Sequence, residues 1–169
     1  KGAAGLYSTV SGGRNNQVNN IDATVGGGFT NKSNGDSSVI AGGNANSAYA
    51  TASTVAGGIL GSAWGQYSSI GGGFSNGATG TYATISGGNA NITIGQGTVI
   101  AGGEGNSAYG TFSVISGGTF NTTWDTSTSI AGGANNGATG LYSAIGGGQN
   151  NKTNADYSTI GGGLLNLSS

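Results

Sequence analysis

One β-branched residue recurs every fifteen positions along this chain, and it sets the pattern of apolar and polar positions around it. We call these residues the anchors; each is followed two and three residues later by Gly-Gly. The anchors are Val10, Val25, Ile40, Val55, Ile70, Ile85, Ile100, Ile115, Ile130, Ile145 and Ile160. A single inserted residue would displace every later position, so an unbroken period predicts that each unit forms one turn of a stacked solenoid.

The residues before each anchor favour a β-strand, as in Tyr82-Ala-Thr-Ile85, because they are aromatic or β-branched and end at glycines. Alternation along a strand places the anchor and the small residue two before it, such as Ala83, on the inner face. Tyr82 and Thr84 would then share the opposite face. A second short strand is predicted around small residues such as Ala78, facing a narrow interior. The predicted fold is therefore all-β, a parallel solenoid of eleven turns of fifteen residues.

A polar column follows the anchors six residues later, where ten of the eleven turns have Asn and one has Gly61. Its members are Asn16, Asn31, Asn46, Asn76, Asn91, Asn106, Asn121, Asn136, Asn151 and Asn166. Stacked Asn side chains can form a hydrogen-bonded ladder, and both Asn and Gly tolerate a left-handed backbone. We expect a buried ladder, which would leave the Asn-x-Ser/Thr patterns in this column unable to carry sugar.

The composition limits the classes of partner that this chain could bind. Charged residues make up 5% of the chain, the net charge is −1, and only four residues are basic. No basic patch is available for nucleic acid, and no segment is apolar and long enough to insert into a membrane. The chain begins and ends within a repeat, so we interpret residues 1–169 as a single repeat domain cut from a longer fibre protein.

Catalytic chemistry has little support in the sequence, because the chain contains neither His nor Cys. Its five carboxylates fall in five different turns, at Asp22, Asp36, Glu104, Asp125 and Asp156. Calcium-binding β-rolls need an Asp in every Gly-rich turn, and these turns have none. We therefore expect no enzyme activity, no catalytic residues, no metal site and no cofactor.

Aromatic residues in one outward column are the candidate ligand-binding residues. Tyr49 and Trp64 occupy adjacent turns, and Tyr109 and Trp124 repeat the pair 60 residues later. Each follows an inward Ala or Thr and should therefore point outward. Two stacked rings would form a platform for a sugar or for an apolar protein side chain. The alternative is that they line a subunit interface or pack over nearby loops.

Residues 78–85, Ala-Thr-Gly-Thr-Tyr-Ala-Thr-Ile, and residues 138–145, Ala-Thr-Gly-Leu-Tyr-Ser-Ala-Ile, resemble the head repeats of trimeric autotransporter adhesins. The resemblance to these YadA-like repeats extends over essentially the whole chain. This chain differs from them in two ways. The common head repeat has fourteen residues instead of fifteen, and it has Ser-Val-Ala-Ile where this chain has Tyr-Ser-Thr-Ile. Similar fifteen-residue repeats occur in other trimeric fibres, including phage-type tail fibres. The resemblance implies a left-handed β-roll, a homotrimer and an extracellular location, on an outer-membrane-anchored cell-surface fibre or on a virion fibre.

A physical argument also favours association of chains. One aliphatic anchor per turn is a small core, and the column containing Tyr67, Tyr82, Phe112 and Tyr142 would add an exposed apolar stripe. Monomeric proteins rarely expose such a patch. We therefore predict a parallel homotrimer, in which three-fold packing buries the same surface on every subunit.

The leading functional hypothesis is a non-enzymatic adhesin or fibre head segment that presents a receptor-binding surface to a host or prey surface protein or glycan. One alternative is an ice-binding β-solenoid that orders water on a Thr column, although Val39, Val99, Val114 and Ala144 interrupt that column. Another is a glycan-binding fibre tip that uses the aromatic column.

Overall fold

The computed structural model describes residues 2–169, and it shows a parallel β-solenoid with no helix in that range. Its strands all have two residues and are, in chain order, β1 (Gly2–Ala3), β2 (Thr9–Val10), β3 (Gln17–Val18), β4 (Thr24–Val25), β5 (Lys32–Ser33), β6 (Val39–Ile40), β7 (Ser47–Ala48), β8 (Thr54–Val55), β9 (Ser62–Ala63), β10 (Ser69–Ile70), β11 (Gly77–Ala78), β12 (Thr84–Ile85), β13 (Ile92–Thr93), β14 (Val99–Ile100), β15 (Ser107–Ala108), β16 (Val114–Ile115), β17 (Thr122–Thr123), β18 (Ser129–Ile130), β19 (Gly137–Ala138), β20 (Ala144–Ile145), β21 (Lys152–Thr153), β22 (Thr159–Ile160) and β23 (Leu167–Ser168).

Two parallel sheets run the length of the rod. The odd-numbered strands form a 12-stranded sheet and the even-numbered strands an 11-stranded sheet, each ordered as in the chain. Every pairing joins residues fifteen apart, so Ile70 lies beside Val55 and Ile85. A third line of single-residue parallel bridges runs from Arg14 to Leu164. The all-β parallel solenoid of about eleven turns is therefore confirmed.

The anchors form the apolar half of the interior. From Val25 to Ile145 each anchor is at most 1% exposed, Ile160 is 8% exposed, and Val10 is half-buried in the first turn. Alanines of the odd-numbered strands, such as Ala63 and Ala78, are buried with them. The predicted stacking of the anchors in one interior column is confirmed.

The interior is also rich in hydroxyl groups, and they pair with one another and with turn carbonyls. The Oγ of Ser113, for example, lies 2.8 Å from the Oγ1 of Thr123 in the next turn. The hydroxyls of Ser68 and Thr93 have no hydrogen-bond partner among residues 2–169. Alanine occupies the position matching the partner hydroxyl in both cases, as at Ala78. Most of the buried hydroxyls are therefore paired, and Ser68 and Thr93 are the exceptions among residues 2–169.

The Asn column is a buried ladder, as predicted. The Nδ2 of Asn91 donates to the carbonyl of Gly87 in its own turn, at 3.1 Å, and to that of Gly103 in the next turn, at 2.9 Å. Its Oδ1 accepts from the amide of Asn106, at 3.0 Å. Each Asn therefore holds its own corner closed and ties that corner to the following turn.

Left-handed residues lie in the Gly-Gly pair, as the sequence predicts, but the Asn column itself contains none. Asn91 itself is outside the left-handed region, and the residue before it, Ala90, has φ 54°. In the Gly-Gly pair the second glycine is left-handed in every turn, with φ between 77 and 104°, whereas the first has a positive φ, of 150 to 158°, only at Gly117, Gly147 and Gly162. Backbone freedom therefore does not explain Gly61, because no left-handed φ is required in the Asn column.

The strand before each anchor is also shorter than Tyr-Ser-Thr-Ile. Only the last two residues pair, and Tyr82 lies at a corner with φ 58° instead of on a strand face. Ala83 still faces inward and is fully buried. The column that contains Tyr67, Tyr82, Phe112 and Tyr142, which we call the corner column, therefore projects from a turn, because the chain changes direction two residues before the strand begins.

Gly61 interrupts the ladder, and replacing it with Asn should restore the missing bonds. By analogy with its neighbours, the new side chain would donate to the carbonyls of Gly57 and Gly73 and accept from the amide of Asn76. We predict that Gly61→Asn raises the free energy of unfolding by about 1–2 kcal/mol. Denaturant or thermal unfolding monitored by circular dichroism measures the change.

Gly61→Ala is the matched control, because it adds a Cβ without the amide group. That Cβ would lie 3.1 Å from the Oδ1 of Asn46 and 3.2 Å from Val55, so both neighbours must move by a few tenths of an ångström. The Gly61 amide is 2.8 Å from the Asn46 side chain, whereas matching bonds elsewhere are 2.9 to 3.0 Å, which leaves room for that movement. If the Asn variant is no more stable than the Ala variant, the ladder does not stabilise the fold as described.

The Gly-Gly corner offers a second test. At Gly73, φ is +88° and an added Cβ would collide with the carbonyl oxygen of Gly88. Gly72 is not left-handed, and an added Cβ meets nothing closer than 4.0 Å. We predict that Gly73→Ala costs about 3 kcal/mol or more, while Gly72→Ala is neutral or stabilises by up to about 1 kcal/mol. Equal melting temperatures for the two variants would contradict this structure of the corner.

Candidate functional site

Tyr49 and Trp64 project from the ends of adjacent odd-numbered strands. Each follows a buried alanine, Ala48 or Ala63, so the next side chain points outward. Their rings stack with centroids 3.9 Å apart and planes at 21°. The outward direction expected from the alternation is what the structure shows.

Tyr109 and Trp124 form the second pair, with ring centroids 4.5 Å apart and planes at 6°. Trp124 is 56% exposed. Tyr109 lies one turn towards the N-terminus and covers one face of the indole, so the opposite face is directed towards Thr139 in the next turn. The two aromatic pairs are four turns apart, which is roughly 19 Å along the rod, and they form two separate platforms.

Two further stacks lie at the corner column. Tyr67 and Tyr82 stack with centroids 5.0 Å apart, and Tyr142 and Tyr157 stack at 5.3 Å. All four residues are exposed and have φ between 53 and 59°. A left-handed backbone costs a residue with a side chain roughly 1–2 kcal/mol and favours Gly or Asn. Local backbone preference therefore does not account for aromatic residues here, whereas stacking and coverage by another surface would.

Sequence reasoning missed a groove of about 420 Å³ beside Trp124. Its floor is Gly137, the outward residue of β19, whose missing side chain leaves a notch between Thr122 and Lys152 in the flanking strands. Phe120 and Trp124 line the groove along with this floor. The signal for it was available: an outward glycine one turn after an aromatic pair.

The polar lining of this groove comes from Asn135, Asn150 and Lys152. All three are exposed, and their side chains make no hydrogen bond with residues 2–169. No carboxylate lines the groove, so Lys152 is its only charged group. The arrangement offers an aromatic face, amide donors and acceptors, and one ammonium group around a shallow apolar floor.

The matching place beside Trp64 has the same notch but a different lining. Gly77 corresponds to Gly137, whereas Ser75, Ala90 and Ile92 replace the two asparagines and the lysine. An aromatic wall and a glycine floor are therefore present at both places. Only the groove beside Trp124 adds amide and ammonium groups.

Other chemistry is sparse in the described part of the chain. Residues 2–169 contain no cluster of three or more side chains that could hold a metal ion. The five carboxylates lie in different turns, as the sequence indicated. Among the Asn residues of the five glycosylation patterns, all but Asn166 are buried and use their amide nitrogens in the ladder.

Residues 2–169 contain no helix with the length and apolar character needed to span a bilayer.

No protein-family model matches the chain, and no curated protein is significantly similar to it. The candidate site is therefore defined by the geometry of this chain's own residues.

The stacked pairs should couple energetically. For Tyr109→Ala and Trp124→Ala we predict a coupling free energy of about 0.5–1.5 kcal/mol in a double-mutant cycle of unfolding stability. Tyr109→Ala with Trp64→Ala is the matched control, because those rings are not in contact, and its coupling should be close to zero. Similar coupling in the two cycles would show that the rings do not interact as the geometry requires.

Proposed function

We propose that the chain is a non-enzymatic segment of an extracellular homotrimeric fibre that presents a receptor-binding surface on a cell or a virion. Its receptor would be a host or prey surface protein or a glycan. In this proposal the solenoid is a left-handed β-roll, and three copies lie parallel with their axes along the fibre. The chain's own role is then to space and display side chains, while its interior keeps the display rigid.

The observation that carries the proposal is the exposure of the aromatic residues in the corner column. Tyr67, Tyr82, Phe112 and Tyr142 are each about half exposed, on a rod with few charged residues. Their left-handed backbone disfavours large side chains, and stacking within the chain leaves much of each ring in water, so coverage by another chain would add a benefit that the single chain lacks. Coverage by an identical chain would remove this apolar surface from water.

Three-fold parallel packing supports display as well as coverage. Closed symmetry uses the same patch on every subunit and stops growth, whereas an open contact would give filaments. Parallel chains would also place equal turns at equal heights. Each aromatic platform would then occur three times around the rod, and weak single sites would gain avidity.

Ice binding is the other candidate, because a regular parallel sheet with outward Thr residues could order water. The outward residues of the even-numbered strands include Thr54 and Thr84 but also Val99, Val114 and Ala144. An ordered water layer needs a continuous array of equivalent groups, and this one is interrupted. An ice-recrystallisation assay separates the two proposals, since strong inhibition by the chain would favour ice binding.

The trimer is testable by light scattering after size exclusion. Three protomers of 16.1 kDa give a particle of about 48 kDa, and we expect that mass at micromolar concentration. Replacing Tyr67, Tyr82 and Tyr142 together by Ser, a residue that Ser37 and Ser127 already supply in this column, should shift the mass towards the monomer. The corresponding Phe replacements keep the apolar rings and should remain trimeric.

A stable monomer of the unaltered chain at micromolar concentration would overturn the trimer. If the triple Ser variant is still a trimer, the corner column is not the interface that holds the subunits together. Adhesion itself can be measured by coupling the chain to beads and counting the beads retained on cell layers, with heat-unfolded chain as the control. No retention above that control on any cell type would contradict the adhesive role.

A further inference from the structure

We propose that the groove beside Trp124 binds a saccharide unit that carries a carboxylate. This inference names a ligand class for the fibre surface proposed above and rests on that function for its biological meaning. Its physical basis is independent of assembly, because every group involved belongs to one chain and to three consecutive turns.

One wall of the groove is aromatic. Tyr109 covers one face of the Trp124 indole, and the other face is directed towards the turn that contains Gly137. The C–H face of a pyranose ring is apolar, while its hydroxyl groups lie around its edge. Trp124 is 56% exposed and lines the groove, so a sugar can pack its C–H face against the exposed part of the indole and keep its hydroxyls directed at polar partners.

The glycine floor makes the approach possible. Gly137 is the outward residue of a strand, paired with Thr122 on one side and Lys152 on the other. A Cβ built there would be 3.8 Å from the Lys152 side chain and would enter the groove without striking the backbone. The notch therefore reflects a missing side chain, not a backbone that forbids one.

The polar partners lie along the side opposite the indole and at the far end. Asn135 and Asn150 both have φ 54°, a left-handed conformation that Asn tolerates, and their side-chain amides make no bonds within residues 2–169. They supply donors and acceptors to hydroxyl groups. Lys152 supplies a positive charge with no carboxylate beside it in the groove, which favours an anionic sugar over a neutral one.

The place beside Trp64 is a natural comparison within the same molecule. It retains the indole and the glycine floor but has Ser75, Ala90 and Ile92 in place of the amide and ammonium groups. If stacking alone captured a sugar, both places would bind it. Because the proposal assigns binding to the polar lining, only the groove beside Trp124 should respond.

The two tryptophans of the chain make the test specific. Trp64→Phe leaves Trp124 as the only tryptophan, and Trp124→Phe leaves only Trp64. Both variants would be titrated with a galacturonic acid trimer and with the matching neutral galactose trimer, and intrinsic fluorescence would be recorded. We expect a saturable change for Trp124 with the acidic trimer, at least fivefold tighter than with the neutral trimer, and no saturable change for Trp64.

Two variants probe the groove in the Trp64→Phe background. Gly137→Ile fills the notch with a side chain that Ile92 already places in this column, and it should weaken binding at least tenfold while the melting temperature is kept. Lys152→Gln should reduce the affinity for the acidic trimer to that for the neutral trimer. Binding that is unaffected by Gly137→Ile, or a preference for the acidic trimer that survives Lys152→Gln, would overturn the assignment.

A gain-of-function variant completes the test. Ser75→Asn, Ala90→Asn and Ile92→Lys in the Trp124→Phe background rebuild the polar lining beside Trp64, and both Asn replacements fall at left-handed positions that suit Asn. We expect a saturable fluorescence change to appear with the acidic trimer. No gain would contradict the role given to these three side chains.

The result separates this inference from the proposed function. A trimer whose Trp124 fluorescence does not change up to about 10 mM of either saccharide overturns the groove and leaves the fibre proposal standing. A monomer that binds the acidic trimer overturns the homotrimer and leaves the groove standing. A response of equal affinity at Trp64 and Trp124 reduces the site to nonspecific stacking and overturns the proposal.

Discussion

The register of fifteen residues is the constraint on which the rest of the structure depends, and the buried Asn ladder enforces it. Each Asn side chain except those of Asn46, which accepts from Gly61, and the terminal Asn166 bonds a carbonyl of its own turn, a carbonyl of the next turn and the amide of the next Asn. These bonds form only when successive turns are the same length. A chain with one extra residue in a turn would leave buried donors and acceptors unpaired, at a cost of about 1–3 kcal/mol for each group.

This arrangement explains how so small an apolar core holds a rod together. Val and Ile anchors line one side of the interior, while alanines, serines and threonines fill the other. Polar groups that would be costly in an ordinary core are matched here, because each turn repeats the donors and acceptors of its neighbours. The solenoid therefore uses hydrogen-bond repetition where a globular domain would use apolar volume.

The exterior is free of these constraints, and the residues of the proposed binding surfaces lie there. The outward column of the odd-numbered strands contains Thr, Gly, Lys and Ile, and the backbone pairing is the same at each of them. The corners are different, because Tyr67 and Tyr142 present their rings from a left-handed backbone that is unfavourable for a residue with a side chain. A glycine among outward side chains, as at Gly137, creates a groove without disturbing the register. Display of side chains on a rigid, repetitive rod is consistent with the fibre role proposed above.

Much of the fold could be predicted from the sequence, because a strict period specifies which residues stack. The fifteen-residue period predicts the interior anchors and the buried Asn column. It also predicts the outward Tyr49/Trp64 and Tyr109/Trp124 pairs. Only the tertiary structure decided where the backbone becomes left-handed, since that depends on how a corner closes against the next turn's carbonyls. It also decided that Asn135, Asn150 and Lys152 meet Trp124 across one groove. Those residues are up to 28 positions apart, and stacking of successive turns, not local sequence, makes them neighbours.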